Sequence, residues 1–510
     1  MKTVTISKEE YENLIAEKER LSQQVEWLME QVRLARHRQF GASSEKSEYG
    51  SSQLSLFNEA EALAGETVDE PEITEVQKHY RKKYRQNRDR LPADLPVEII
   101  EHQLQEEDRA CPKCGHSLHV MGKEIREELK LIPAKAAIAR HIKHVYSCRD
   151  CEKNHESVPV VKAPMPEPVM KGSFASPESV AHIITQKFVM ATPLYRQEQE
   201  WNRQGIMLSR QTMSNWLIRC AEDWLLPVYN ELHKRLLKHE VLHADETTLQ
   251  VLREDGKTPQ SKSYMWLYRT SGDAERPIVL YEYQSGRSAT HPENFLKDRK
   301  GYLHADGYSG YHTLEKHGNI TVTGCLAHAR RKFDEALKTI PEKDRAASGA
   351  FIGKRYCDRL FGLERDMKKL TFEERYTERQ NRAKPILDAF FAWLNSDKYT
   401  KGVLGKAVQY TLGQWKYLER YLLDGRLEIS NNRAERSIKP FVIGRKNFLF
   451  ANTSRGAKAS AIIYSIVETA KESAIDPYQY LTFIFKNAPN WDFNGNPDFL
   501  AALLPCDFPV

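Results

Sequence analysis

Residues 241–247 read Val-Leu-His-Ala-Asp-Glu-Thr, and residues 302–308 read Tyr-Leu-His-Ala-Asp-Gly-Tyr. Each is a short apolar run that ends in His-Ala-Asp, and a Gly-Tyr turn follows the second. Each run therefore predicts a strand with an aspartate at its C-terminal end. Because functional side chains of such sheets collect at these strand ends, Asp245 and Asp306 predict one acidic site.

A third acidic residue, Glu435, stands in the stretch Asn-Asn-Arg-Ala-Glu-Arg at 431–436. Two Mg²⁺ ions about 4 Å apart can activate an attacking oxygen and stabilise a leaving one in a phosphodiester displacement, and they need several converging carboxylates. Asp245, Asp306 and Glu435 come from distant parts of the chain and meet that need. Taken singly, these acids fit an alternative: an Asp before Gly is usually a turn residue, and Asn432 could be a helix N-cap paired with a reciprocal Glu435.

The periodicity around these acids predicts strands at 240–245, 263–270 and 277–284, a helix at 291–298, a strand ending at Asp306 and a strand at 319–324. This order is typical of a ribonuclease-H-like domain. In that fold the first acid ends the first strand, the second ends the fourth, and the third comes from a later helix. Glu246 is predicted to point to the opposite strand face from Asp245, which favours Asp245 as the ligand.

The spacing of the three acids predicts an insertion. Asp306 lies 61 positions after Asp245, which suits that fold, but Glu435 lies 129 positions after Asp306, which is too long for the core alone. Residues from about 335 to 425 are rich in Lys, Glu, Arg, Leu and Tyr at helical spacing, so we predict a helical insertion there.

The composition is that of a globular protein with several domains. The chain has 510 residues, 40% of them apolar and 29% charged, and a formal net charge of +6. This length suits roughly three or four domains. There is no run of 18 or more apolar residues that would span a bilayer, and no apolar core follows the first charge as in a signal peptide. We therefore predict a cytoplasmic protein with no membrane partner.

The amino-terminal segment, residues 8–40, carries a heptad repeat. Its two core positions hold Tyr11, Lys18, Val25 and Val32, and Leu14, Leu21, Leu28 and Ala35. One Lys among apolar positions would set register or oligomer state, so the pattern predicts a dimerising coiled coil; a helix folded back on its own protein is the alternative.

Residues 41–95 are rich in Ser, Glu, Ala and Lys and are interpreted as a linker, partly disordered. Within it, residues 81–90 hold six cations and one acid. Arg81, Lys82 and Lys83 are therefore candidate contacts to the DNA backbone, and a solvated charge run is the alternative.

Two Cys-x-x-Cys pairs predict a zinc ribbon at 96–165. They comprise Cys111, Cys114, Cys148 and Cys151, with 33 residues between the pairs. Two such pairs favour a structural Cys₄ zinc site over disulfides or a redox pair, and residues 127–146 alternate as ribbon strands would. Because the gap is longer than usual, His116 and His144 are candidate substitute ligands. The other cysteines, Cys220, Cys325, Cys357 and Cys506, are predicted to be buried thiols.

Residues 172–235 are predicted to be helical. Thr192-Pro193 begins a helix that ends near Gly205, and Ser209 caps a second helix that carries Arg210. A helix, a turn with Gly and a second helix match a DNA-reading helix-turn-helix, with Arg210 as a candidate contact. Two helices that pack on the catalytic domain are the alternative.

Longer motifs carry a family resemblance over nearly the whole chain. They are Arg-Gln-Phe-Gly at 38–41, Gln-Leu-Ser-Leu-Phe-Asn-Glu-Ala at 53–60, the cysteine pairs, Asp-Gly-Tyr-Ser-Gly-Tyr at 306–311, Cys-Leu-Ala-His-Ala-Arg-Arg-Lys-Phe at 325–333, and Ile-Ser-Asn-Asn-Arg-Ala-Glu-Arg-Ser-Ile-Lys-Pro at 429–440. With these motifs the chain resembles a bacterial transposase of the insertion-sequence-66 family, within the DDE superfamily. The motif at 429–440 is the most specific of them.

The resemblance implies that Asp245, Asp306 and Glu435 are the catalytic triad and bind two Mg²⁺, for which Mn²⁺ can substitute. It also implies terminal-repeat and target DNA as partners, and small accessory proteins of the same element. Basic residues that flank the acids are candidate phosphate contacts, with surface charge as the alternative: Arg330, Arg331, Lys439, Arg445 and Lys446. Cys325 and His328 have a metal-like Cys-x-x-His spacing, but a zinc site needs more ligands, so a structural or DNA-positioning role is favoured.

The predicted fold class is multidomain α+β. Its segments are a coiled coil at 8–40 that makes a homodimer or higher oligomer, a linker at 41–95, a zinc ribbon at 96–165, a helical region at 172–235, a ribonuclease-H-like α/β catalytic domain at 238–450 with its helical insertion, and a helical C-terminus at 451–510. The predicted function is Mg²⁺-dependent DNA cleavage and strand transfer at the ends of an insertion sequence, in the bacterial cytoplasm at the nucleoid. The alternatives are a nuclease of the same fold that never joins strands and a non-catalytic zinc-ribbon regulator.

Overall fold

The structure is a computed structural model, and it describes most of the chain after residue 160. The described residues are 7, 12–13, 15–22, 24–25, 28–29, 32, 136–147, 160–396, 401–492, 496–505 and 508. The predicted linker, the four cysteines of the predicted zinc ribbon, His116 and Cys506 lie outside them. Within them, no helix is both long and apolar enough to cross a membrane.

The chain divides into two compact units, one of which comprises residues 43–46 and 54–164. Its described part is an antiparallel hairpin of β1 (Val145–Ser147) and β2 (Val160–Lys162). Residues 136–144 are neither helix nor strand, so the prediction of ribbon strands is wrong there. Their side chains are exposed, and among the described residues of this unit only 145–147 have a partner strand, β2, to pair with. His144 is among these exposed residues.

The other unit begins with helical residues. All the described residues between 12 and 32 are helical and exposed, and they include the heptad positions Lys18, Leu21 and Val25. An exposed apolar stripe of this kind is consistent with a partner helix.

A group of four helices precedes the sheet. They are α1 (Pro177–Ile184), α2 (Leu194–Arg203), α3 (Arg210–Cys220) and α4 (Leu226–Leu236). Ser209 caps α3 as predicted, because its side chain accepts a hydrogen bond of 3.1 Å from the Thr212 N–H. One face of α3, with Trp216 and Leu217, is buried in the core, while Gln211 and Asn215 are exposed.

A six-stranded mixed sheet forms the centre of this unit. Its order is β5-β4-β3-β6-β7, and β8 pairs with the far end of β3. The strands and short helices are β3 (Val241–Arg253), β4 (Lys262–Thr270), β5 (Val279–Gln284), α5 (Thr290–Phe295), β6 (Gly301–His304), α6 (Ser309–His312) and β7 (Ile320–Thr323). The first three strands are antiparallel, and β6 and β7 run parallel to β3.

Helices follow β7 where the insertion was predicted. They are α7 (Leu326–Lys338), α8 (Gly349–Asp366), α9 (Phe372–Glu378), α10 (Lys384–Leu394) and α11 (Gly402–Leu418). These helices have their own hydrophobic cluster, which includes Phe333, Leu360 and Phe390.

A buried arginine joins the inserted helices to the chain that leads back to the sheet. Arg379 is 1% exposed, and its guanidinium makes hydrogen bonds of 2.9 and 2.7 Å to the carboxylate of Glu364. It also donates to the backbone carbonyls of Tyr421, Asp424 and Leu427. These bonds fix the position of the segment that enters the next helix.

The last elements of the unit are α12 (Asn432–Phe448), β8 (Ala451–Thr453), α13 (Ser454–Glu472), α14 (Pro477–Asn487) and α15 (Pro497–Ala502). Helix α13 covers the outer strand of the sheet. The backbone N–H of Tyr281 donates to Ser465 Oγ at 2.7 Å, and that of Val279 donates to Thr469 Oγ1 at 3.0 Å. Strand β5 is at the edge of the sheet, and the backbone N–H groups of an edge strand can pair with another chain. Here side chains of α13 accept two of these hydrogen bonds.

We expect Ser465→Ala to lower the free energy of unfolding by about 1–3 kcal/mol, because the buried Tyr281 N–H loses its acceptor. Chemical denaturation of the full chain measures the change. Ser460→Ala is the matched control: Ser460 lies on the same helix, and its hydroxyl donates back to the Gly456 carbonyl one turn earlier. Equal stability of the Ser465 and Ser460 variants would contradict this role.

Candidate functional site

The two His-Ala-Asp tripeptides lie side by side in the sheet. Strands β3 and β6 are parallel, and His243 is paired with His304. Asp245 and Asp306 each follow their histidine by two positions, so they leave the paired region in the same register. Neighbouring strands are about 4.8 Å apart, which brings the two aspartates to one place.

The prediction that Asp245 ends its strand is wrong. Strand β3 continues to Arg253, because β4 stays paired with it as far as Gln250. The parallel pairing with β6, however, stops at His243. At Asp245, β3 therefore still pairs with β4 on one side, but its pairing with β6 on the other side has ended.

Glu435 reaches this place from the first turn of α12. The alternative in which Asn432 caps this helix is wrong: Asn431 is the N-cap residue, and its side chain makes no capping hydrogen bond. The Asn431 side chain instead crosses to β3, where its Nδ2 donates to the Ala244 carbonyl at 2.7 Å and its Oδ1 lies 3.0 Å from His243 Nδ1. This fully buried amide fixes the start of α12 beside Asp245.

The site is crowded with negative charge. Burial raises the pKa of the Asp245 carboxyl well above its usual value. The negative charges of Glu246, Asp306 and Glu435 raise this pKa further, so Asp306 and Glu435 lie within electrostatic range of Asp245. Asp306 Oδ1 also accepts the Tyr308 N–H at 2.9 Å. Bound cations would offset this repulsion.

Glu246 has its own partners, apart from the predicted ligands. Its carboxylate accepts a 2.8 Å hydrogen bond from Arg287 Nε and one of 2.6 Å from the Tyr311 hydroxyl. Its side chain is only 2% exposed. These contacts occupy both carboxylate oxygens, which agrees with the choice of Asp245 as the ligand.

Two stacked histidines lie under the aspartates. The rings of His243 and His304 are 4.5 Å apart and 12° from parallel, and both are fully buried. His304 Nε2 accepts the Glu428 N–H at 3.1 Å. Burial lowers the pKa of His243 to about 3, so the ring is neutral at physiological pH. Burial also lowers the pKa of His304 well below its ordinary value, so neither ring carries a charge that would offset that of the acids.

His243 predicts a loss of stability in acid. Its pKa is about 3 in the folded chain and 6.5 ordinarily, so the unfolded state binds the extra proton between those values. The free energy of unfolding should then fall by about 1.4 kcal/mol per pH unit as the pH drops below 6.5. Denaturant unfolding of wild type and His243→Asn from pH 7 to pH 4 measures this, because Asn keeps a donor toward Asn431 but does not titrate. Identical pH profiles would contradict the assignment.

The predicted DNA contacts differ in their surroundings. Arg331 Nη2 is 3.1 Å from Glu435 Oε2, and Arg330 Nε is 2.5 Å from Asp358. The Arg445 guanidinium is hydrogen-bonded to Thr247 and Thr248 of β3, so it holds α12 to the sheet. Lys446 and Arg210 are exposed, the latter 3.9 Å from Glu198, and Lys439 is half-buried. Arg81, Lys82 and Lys83 lie outside the described residues.

Sequence reasoning missed two features of the site. One is the Asn431 bridge, which joins positions 188 apart in the chain, and the other is the pairing of Arg331 with Glu435. The repeated His-Ala-Asp tripeptide was a signal for the histidine stack, because parallel strands in register place equivalent residues side by side. The buried state of Cys220, Cys325 and Cys357 is confirmed.

Comparisons with known families cover most of the chain. A family profile described as "Transposase IS66 family" matches residues 172–459. Residues 27–100 match "Transposase C of IS166 homeodomain", and residues 108–152 match "zinc-finger binding domain of transposase IS66". The sheet, the inserted helices and α12 all fall inside the first match.

Similar proteins occur in Sinorhizobium fredii (strain NBRC 101917 / NGR234). "Uncharacterized protein y4jD" is 32% identical over 452 residues, which is 86% of this chain and 85% of that protein. "Uncharacterized protein y4hP" is 31% identical, over 76% of this chain and 72% of its own length. "Uncharacterized protein y4qI" is 29% identical, over 94% and 88%. The likeness therefore extends over 72% or more of each of these chains.

Proposed function

Because this chain belongs to the IS66 family of transposases, we propose that it cuts and joins DNA strands at the ends of an insertion sequence with Asp245, Asp306 and Glu435 as its catalytic residues. The observation that supports the proposal is the approach of Asp306, which follows β6, and Glu435, which is on α12, to Asp245 on β3: both charges raise the pKa of Asp245. The sheet order β5-β4-β3-β6-β7 supports a ribonuclease-H-like domain over residues 238–450.

The donor set suits Mg²⁺. Hard divalent cations prefer carboxylate oxygens, and the mutual repulsion that raises the pKa of Asp245 would be relieved by positive charge at this place. Asp245, Asp306 and Glu435 would hold two cations. When bound, the cations activate an attacking oxygen and stabilise the leaving one in a phosphodiester displacement. Mn²⁺, which accepts the same oxygen ligands, would substitute.

The protein's own part is positioning. Asn431 holds the first turn of α12 against β3, and thereby places Glu435 beside Asp245. Arg331 is bound to one oxygen of Glu435 and is half-exposed, so it can turn to a DNA phosphate when that carboxylate binds a cation. In cleavage the oxygen of water forms a bond to phosphorus, and the bond between phosphorus and a 3′ oxygen breaks. The freed 3′ hydroxyl then attacks a target phosphodiester, so one bond forms as another breaks.

Other parts of the chain are assigned to DNA binding and assembly. The zinc-finger match at 108–152 supports a structural Zn²⁺ there, with Cys111, Cys114, Cys148 and Cys151 as the proposed ligands. The exposed face of α3, with Arg210, Gln211 and Asn215, is a proposed DNA-reading surface. The exposed helical residues between 12 and 32 are proposed to pair two copies.

The test is cleavage of labelled DNA that carries the element's own ends. We expect wild-type protein to cut it with Mg²⁺ and to stop when a chelator removes the metal, while binding to the ends persists. Binding without cutting, in the presence of any accessory proteins of the element, would favour a regulator. Cutting that is unaffected by chelation would remove the metal mechanism.

A further inference from the structure

A second group of metal-binding side chains lies beside the proposed catalytic acids. Cys325 directly precedes α7, His328 is in its first turn, and Glu435 is in the first turn of α12. One donor atom from each residue lies within 4.8 Å of the other two. The Cys-x-x-His spacing seen in the sequence thus gains a third donor, from a residue 107 positions further along.

The cysteine sulfur is placed as a metal ligand would be. Cys325 Sγ accepts a hydrogen bond of 3.1 Å from the Asn431 N–H, and the backbone N–H groups of Ala327 and His328 also bond to it. These donors fix the position of the sulfur at the start of α7. Cys357 is equally buried but belongs to no such group of donors among the described residues, so burial alone does not create the arrangement.

The other two donors have unused atoms. His328 Nδ1 and Glu435 Oε1 are buried and have no hydrogen-bond partner among the described residues. Arg331 engages only Oε2 of Glu435, and His328 Nε2 is 3.7 Å from Oε1, too far for a hydrogen bond. The side chains of His328 and Glu435 are 25% and 29% exposed, so the group borders on solvent although these two atoms are buried.

We propose that Cys325, His328 and Glu435 form a binding site for a borderline divalent cation such as Zn²⁺ or Co²⁺, with solvent as the fourth ligand. Sulfur, imidazole and carboxylate together suit these cations and disfavour Mg²⁺. One consequence rests on the proposed function: because Glu435 belongs to both groups, a cation held here competes with the catalytic Mg²⁺, and Zn²⁺ should inhibit DNA cleavage through Cys325.

The test is a Co²⁺ titration of the full chain after it has been loaded with Zn²⁺ and treated with a chelator until only the zinc finger retains Zn²⁺. The proposed site has three protein ligands and solvent, so it releases Zn²⁺ before a closed four-cysteine site does. The zinc finger then keeps its Zn²⁺ during the titration, because proteins bind Zn²⁺ more tightly than Co²⁺. We expect wild type to take up Co²⁺ with a sulfur-to-cobalt charge-transfer band, which only a cysteine ligand gives. Cys325→Ser should lose the band, and Cys357→Ser, the matched control, should keep it.

His328→Gln covers the case in which the Cys325 variant does not fold. We expect it to weaken Co²⁺ binding by more than the roughly 10–100-fold that loss of an outer partner costs. No band in wild type, or an unchanged band in Cys325→Ser, overturns the proposal. If the protein gives the band but does not cut DNA, the metal site is supported and the proposed reaction is contradicted. If it cuts DNA without the band, the proposed reaction is supported and the metal site is contradicted.

Discussion

Asp245→Asn should abolish DNA cleavage and, in the absence of metal, make the protein harder to unfold. Cleavage should fall at least about a thousandfold, because a bound metal contributes several kcal/mol and each 1.4 kcal/mol is tenfold. The stability gain arises because burial and the charges of Glu246, Asp306 and Glu435 raise the pKa of Asp245. Asparagine fills the same space without that repulsion.

The sign of the pH dependence follows from this pKa. The folded chain holds a proton on Asp245 above pH 3.8 that the unfolded chain has lost, so wild-type stability falls as the pH rises through the folded pKa. The advantage of Asp245→Asn should therefore grow from about pH 4 upward. Added Mg²⁺ should reverse it, since a ligand at 100 times its Kd stabilises the folded state by about 2.7 kcal/mol.

Glu246→Gln is the matched control for Asp245→Asn. It makes the same charge change one residue away, but Arg287 and Tyr311 hold that side chain. We expect it to keep cleavage within about tenfold of wild type, because it removes no proposed metal ligand. Thermal unfolding with and without Mg²⁺, together with gel-based cleavage, gives both readouts. Full cleavage by Asp245→Asn, or Mg²⁺ stabilisation equal to wild type, would remove Asp245 from the metal site.

Asn431→Ala should destabilise the protein and slow cleavage although Asn431 is not itself a proposed ligand. The change leaves His243 Nδ1 and the Ala244 carbonyl buried without their partner. Each unpaired buried group costs about 1–3 kcal/mol. The start of α12 would then be free to move, and a misplacement of about 1 Å can cost a hundredfold in rate.

Asn432→Ala is the matched control, since Asn432 is the next residue, half-buried, at the same helix end. Denaturant unfolding and cleavage at saturating Mg²⁺ separate the two effects of Asn431→Ala. A positioning residue should lower the maximal rate even at a temperature where the variant is fully folded. If the folded variant cuts at the wild-type rate, the bridge serves stability alone.

The sequence predicted the elements around the site well, because local patterns determine them. The strand predicted at 263–270 is Lys262–Thr270, and the helix predicted to start after Ser209 is Arg210–Cys220. The alternation of buried and exposed side chains and a capping serine are readable within a few residues. The sequence also predicted that Asp306 would lie near Asp245, because the tripeptide His-Ala-Asp occurs at both positions.

The contacts that fix the position of Glu435 could not be predicted from the sequence. Asn431 looks like an ordinary helix cap in the sequence, and its partners on β3 lie 187 and 188 positions away. The same holds for Ser465, whose bond to β5 spans 184 positions. The extension of β3 to Arg253 depends on its pairing with β4. It could not be predicted from the residues of β3 alone, because strand formation depends on the neighbouring strands.

The most direct test of the central claim is a joining assay with pre-cut element ends, a plasmid target and Mg²⁺. Wild type and Glu435→Gln are compared in it, and binding to the ends is measured in the same samples. The account predicts joined products with wild type, none with Glu435→Gln, and equal binding by both, because the change removes a carboxylate charge and leaves the DNA-binding parts of the chain intact. Joined products from Glu435→Gln at the wild-type rate would contradict it.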